Sequence, residues 1–385
     1  MQSYGKDDQI DLKNDGLFKS VVKSISYFLL KTTYQSNATG KNNLSLLLKG
    51  IILYINVNSK GNSIKSKIQL RNLSVPTENL FARKSFNQPS RYQNIFQRHA
   101  STLFKPTIFC ISVSSGAIVL AAIIQYERLQ SNAKIHSRLQ NLYNISKFGQ
   151  QKTGVISEIK SRWNNLKPSE KIFGTILVLN SLVFFAWQVP RWQHIMVKYF
   201  STDALANKIP VSSLLFSAFS HSSSVHLAFN MYALFTFCRG VIHPWGKLGP
   251  EEFTAFYISS CVVSSLVSIV FRRSMKSPGI SLGASGAILS VVGYFALSHP
   301  EEKLSVIFLP MIQFDAIYAL FGLVTVDSLG ILLGWKMFDH AAHLGGTLFG
   351  MFWYKYMSKY VWGNRRYVVR NWIALKKLVD VQSRK

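Results

Sequence analysis

Ser281-Leu282-Gly283-Ala284-Ser285-Gly286-Ala287-Ile288-Leu289-Ser290-Val291-Val292 decides how this chain is read. Two glycines bracket Ala284-Ser285, and the run that follows is apolar enough to lie in a membrane. A hydroxyl in such surroundings costs free energy unless another group hydrogen-bonds to it. Ser285 therefore predicts a partner in another apolar segment. Asp339-His340-Ala341-Ala342-His343-Leu344-Gly345-Gly346 opens one, and His343 is the candidate.

Composition supports a membrane setting for both stretches. Hydrophobic residues make up 48% and charged residues only 16%, a balance that suits a polytopic membrane protein with a polar extension. Net charge is +27, from 44 basic and 17 acidic residues. No Gly-rich phosphate loop or zinc spacing accompanies that charge, so anionic lipid or a targeting role is expected and nucleic acid is not. Cys110, Cys238 and Cys261 fall in or beside apolar segments, without metal spacing, and read as small core residues.

Residues 1–106 form a basic N-terminal region. From Gly16 to Tyr126 there are fourteen Lys or Arg and one acid, Glu78, the composition of a mitochondrial targeting region. Asp7, Asp8, Asp11 and Asp15 depart from that pattern. Residues 107–125 carry no charge and are long enough to cross a bilayer at about 1.5 Å per residue. Residues 126–170 read as a polar linker with some helix. Six further spans follow at about 172–189, 225–241, 253–271, 282–297, 316–335 and 338–356, with interfacial stretches at 191–224 and 304–315. A basic tail occupies 361–385.

Numbering the last six spans as core helices, the second, fourth and sixth enter the membrane from one face. His226 and Asn230 lie near the start of the second, Ser285 of the fourth and His343 of the sixth. All four share one depth. A serine becomes a nucleophile when imidazole, with a pKa of about 6.5, accepts its proton. Attack on a carbonyl then builds an oxyanion, and each fixed donor to it contributes about 3 kcal/mol. His226, the Asn230 amide and the Ser285 backbone N–H are the candidate donors. Gly286 and Gly293 on the fourth helix and Gly346 and Gly350 on the sixth present small edges for close packing.

Other readings of the same residues carry less. A serine in a membrane helix commonly bonds back to its own helix, and a membrane histidine can relay protons. His340 and His343, with His221 and His226, offer metal ligands, but there is no His-Glu-x-x-His and no cluster of carboxylates, so neither metal nor cofactor is expected. Asp339 reads as the cap of its helix, with orientation of His343 as the alternative role. His221, His299 and His340 read as interfacial. Asp327, an acid within an apolar span, has no assigned role.

At these positions the chain resembles the rhomboid family of intramembrane serine proteases. The resemblance rests on His226-x-x-x-Asn230, Gly283-Ala284-Ser285-Gly286 and Ala342-His343-Leu344-Gly345-Gly346 through Gly350. Residues 338–346 and the extra helix ahead of the core are more particularly similar to its mitochondrial, presenilin-associated branch. This implies an all-α membrane protein, a six-helix rhomboid core at 171–360 preceded by one extra transmembrane helix. It also implies a Ser285–His343 dyad, an oxyanion site at His226, Asn230 and Ser285, and no cofactor or metal.

By the same resemblance, the protein resides in the mitochondrial inner membrane and cuts single-span membrane proteins, among them a dynamin-like GTPase and a mitophagy kinase. Bacterial relatives carry a tyrosine against the catalytic histidine where this chain has Leu289, so another group must support His343. A catalytically inactive rhomboid that binds membrane clients is the alternative, but it would lack Ser285 or His343. A multi-pass carrier would show internal repeats, which the sequence lacks.

Overall fold

A computed structural model describes residues 91–143, 154–242, 247–306 and 309–382. The targeting region expected at 1–106 lies almost wholly outside the described residues. Residues 99–385 form one compact unit, and it is nearly all helical.

The first helix, α1, runs over Arg91–Tyr143 and contains the uncharged stretch 107–125. The linker, read as partly helical, begins as a continuation of this helix to Tyr143. Glu, Arg, Leu, Gln and Ala are good helix formers whatever their polarity. A short α2 (Val155–Asn165) leads to α3 (Pro168–Trp187), which opens on a proline at its first position while Glu170 accepts from the Lys167 backbone N–H at 2.8 Å.

Short helices α4 (Gln193–Tyr199) and α5 (Ser213–Phe216) fill the mixed segment before α6 (Ser224–Val241). Helix α7 (Pro250–Ser274) carries Glu251 and Glu252 in its first turn and Arg272 and Arg273 in its last, complementing the helix dipole at both ends. The remaining long elements are α8 (Ser285–Ser298), α9 (Ala316–Leu333), α10 (His340–Phe352) and, after a π-helical turn at Trp353–Val361, α11 (Arg366–Gln382). Among the described residues, α3, α7, α9 and Leu103–Ala133 of α1 are long and apolar enough to cross a membrane. The 14-residue α8 is apolar but shorter.

The segment at 304–315, expected to be interfacial, is a hairpin. Strand β3 (Lys303–Val306) pairs antiparallel with β4 (Leu309–Asp315), the other sheet being β1 (Thr202–Asp203) with β2 (Ile280–Ser281). Lys303 faces Asp315 in the register and forms an ion pair with it, closing the hairpin at the foot of α9. The last core span, expected at 338–356, starts as α10 after Asp339 and continues with π-helical geometry over Trp353–Val361.

Helices α8 and α10 approach so closely that a Cβ at Gly346 would lie 2.0 Å from the Gly286 carbonyl oxygen, and one at Gly350 would lie 1.9 Å from that of Ser290. A Cβ at Gly293 would sit 2.6 Å from the Thr347 oxygen. Only glycine allows backbones this near. On the other side, Cys110 of α1 is buried with Leu214, Val262 and Ile269, so the extra helix packs on α5 and α7. Cys110, Cys238 and Cys261 are all free thiols in the interior.

Candidate active site

Ser285 is the first residue of α8 and His343 lies in the first turn of α10. The two starts are held side by side by the glycine contacts. Ser285 Oγ stands 2.7 Å from His343 Nε2, a hydrogen-bond distance. Two groups fix the start of α10. The Asp339 side chain accepts from the Ala342 backbone N–H at 3.0 Å, and its other oxygen accepts from the Ser268 hydroxyl on α7. Asp339 is thus a helix cap.

The acid facing His343 is Asp327, on α9. Its Oδ1 accepts from His340 Nδ1 at 2.8 Å and lies 3.4 Å from His343 Nδ1, within ion-pair reach but longer than a good hydrogen bond. Asp327 is 4% exposed and His340 5%, so His340 is an interior residue, contrary to its interfacial reading. Room for it comes from Gly330, one turn beyond Asp327, where a Cβ would fall 2.4 Å from the His340 ring. The Phe338 ring flanks His343 at 6.0 Å between centroids and a 33° tilt. Asp327 and Phe338 are neighbours of His343 that the sequence did not disclose.

His226 opens α6, with Ser223 capping its N–H at 3.2 Å. Gly283 has φ +137, a conformation that favours glycine, and a Cβ there would lie 3.0 Å from the His226 ring and 3.7 Å from Ser285 Oγ. The imidazole edge of His226 therefore borders the space beside the serine. Asn230 is buried one turn deeper, and its Nδ2 donates to the His226 carbonyl at 3.0 Å, leaving the amide's second N–H. His221, read as interfacial, is 2% exposed and packs edge-on against His226 with ring centroids 5.0 Å apart. Burial, and then the neighbouring His226, pushes it from 6.5 down to about 4. It stays neutral under physiological conditions.

Asp327, His340 and His343 bring three ligand-type atoms within 4.8 Å of one another. Within that group Asp327 Oδ1 accepts from His340 Nδ1, while His343 Nε2 faces Ser285.

Residues 210–360 match the Rhomboid domain family. The human presenilin-associated rhomboid-like protein, mitochondrial, is 40% identical over 276 residues, 71% of this chain and 72% of that protein. The chain belongs to the rhomboid family. This rhomboid is also 35% identical over 190 residues to Rhomboid protein 1, mitochondrial, of Saccharomyces cerevisiae, covering 48% of the chain and 53% of that protein. Rhomboid protease AarA of Providencia stuartii is 30% identical over 162 residues, 37% of the chain and 53% of that protein. This rhomboid is accordingly an all-α, multi-pass mitochondrial membrane protein and a serine intramembrane protease.

Proposed function

We propose that the protein hydrolyses transmembrane segments of single-span membrane proteins in the mitochondrial inner membrane, with Ser285 as nucleophile and His343 as base. The 2.7 Å approach of Ser285 Oγ to His343 Nε2 carries this reading. His343 takes the hydroxyl proton as Oγ attacks the scissile carbonyl, and returns it to the leaving amine. That leaves an acyl-enzyme ester on Ser285. Water, deprotonated by His343, attacks the ester and releases the new carboxylate.

The oxyanion is met by the Ser285 backbone N–H at the start of α8, by His226 and by the remaining Asn230 amide hydrogen. Asp327 is a positioning residue. Beside Nδ1 of His343, it favours the tautomer that leaves Nε2 open to accept from Ser285, and it stabilises the imidazolium formed during attack. The client-binding alternative gains nothing from a serine and histidine in this geometry. By the same resemblance, a dynamin-like GTPase and a mitophagy kinase represent the substrate class. Residues 1–106 serve targeting and 107–125 supply the extra span ahead of the core.

Fluorophosphonate labelling of the reconstituted protein tests the nucleophile. The phosphonyl group is expected on Ser285, and labelling is expected to disappear in His343→Ala. A label on another serine, or undiminished labelling without His343, refutes the assignment.

A further inference from the structure

We infer that the cleft between α1 and the start of α11 is a binding site for an anionic phospholipid, its phosphate on Arg365 and Arg366. The cleft encloses about 380 Å³ and is lined by Ala122, Gln125, Tyr126 and Leu129 of α1 and by Arg365, Arg366 and Val369, among others. It lies at the level where the uncharged stretch of α1 ends at Gln125 and charge resumes at Glu127 and Arg128. Tyr126 lines the cleft at that level, as aromatic residues do at a membrane interface.

The polar part of the cleft is preorganised. Arg365 Nε donates to Gln125 Oε1 at 2.6 Å and its Nη1 to the Trp362 carbonyl at 3.1 Å, and the guanidinium lies over the Trp362 ring at 5.1 Å. Nη2 makes no hydrogen bond among the described residues, and the buried Glu252 carboxylate lies within electrostatic reach of the group. Arg366 is exposed, rests on the Tyr367 ring at 5.3 Å and has no acid within ion-pair reach among the described residues. Two arginines that line one cleft with an apolar wall suit a phosphodiester with an acyl chain attached, since guanidinium donates to phosphate while Leu129 and Val369 take hydrocarbon.

The occupant follows from the surroundings. Helix α11 docks on α1 through Trp372 and Lys376, which reach Glu127 at 2.7 and 2.5 Å. The rest of α11 exposes Leu375, Leu378 and Val379 beside Arg370 and Lys377. A helix with exposed leucine and valine interleaved with basic residues, attached at interface depth, lies on a lipid surface of negative charge.

The test uses full-length protein in detergent with defined lipid added, read by native mass spectrometry and by the shift in unfolding temperature. Phosphatidylglycerol is expected to bind and raise the unfolding temperature, whereas phosphatidylcholine and inorganic phosphate leave it unmoved. Arg366→Gln, on an exposed residue, is expected to weaken phosphatidylglycerol binding about fivefold, and Arg365→Gln with it further. Lys160→Gln, on exposed α2 and outside the cleft lining, is expected to bind as wild type. The proposal is overturned by an equal response to phosphatidylcholine or to inorganic phosphate. It is equally overturned by undiminished binding to Arg366→Gln, or by a loss in Lys160→Gln as large as in Arg366→Gln.

Discussion

Asp327 Oδ1 lies 3.4 Å from Nδ1 of His343, on the opposite side of the ring from Ser285. An acid in the middle of an apolar helix is costly, and here it meets two imidazoles. Asp327→Asn is expected to lower kcat about 100-fold or more with KM little changed, because a neutral amide neither fixes the tautomer nor stabilises imidazolium. Steady-state cleavage in detergent, with circular dichroism to show that the fold is kept, checks this. A purely structural role for Asp327 would move stability and leave kcat of the folded fraction unchanged.

Gly330 makes the space that seats His340 beside Asp327. Gly330→Ala places a Cβ 2.4 Å from that ring, so His340 must rotate away from its 2.8 Å bond to Asp327. Activity is expected to fall at least several-fold. Gly322→Ala, on the same helix with open space around it, is expected to be neutral or slightly stabilising. Measuring both together separates loss of the seat from a general effect of alanine in α9.

Gly346→Ala tests the contact that brings the two catalytic helix starts together. Its Cβ would meet the Gly286 carbonyl at 2.0 Å, and backbone on both sides cannot yield cheaply. A destabilisation of about 1–3 kcal/mol is expected, as for other overpacked interiors. Cleavage should be lost with it, since any separation of α8 from α10 lengthens the Ser285–His343 approach. Unfolding temperature and reporter cleavage give the two readings.

His221 is held neutral. Its folded-state pKa of about 4 lies below the ordinary 6.5, so the unfolded chain binds the extra proton first as pH falls. Its contribution to stability is complete above about pH 6.5 and is lost progressively towards pH 4. The loss amounts to at most about 3 kcal/mol. The unfolding temperature of His221→Phe is expected to fall less between pH 7 and pH 5 than that of wild type.

Sequence exposed the residues whose polarity contradicts their surroundings. Ser285, His343, His226 and Asn230 each stand near the start of an apolar segment, and topology alone gives them a common depth. Asp327 was visible as the same kind of anomaly, but its partner depends on how α9 is rotated against α10, which no periodicity states. His340 was misread because it sits at a helix boundary, where side chains can face either water or core. The hairpin at Lys303–Asp315 was hidden because its apolar residues resemble a membrane entry, and only the cross-strand ion pair distinguishes it.

Cleavage of a single-span reporter by the purified protein in liposomes, with Ser285→Ala and His343→Ala beside wild type, tests the central claim most directly. The dyad predicts that wild type cuts the reporter within or next to its transmembrane segment, and that each variant, equally well folded, loses the activity. Cleavage by both variants at the wild-type rate would contradict it.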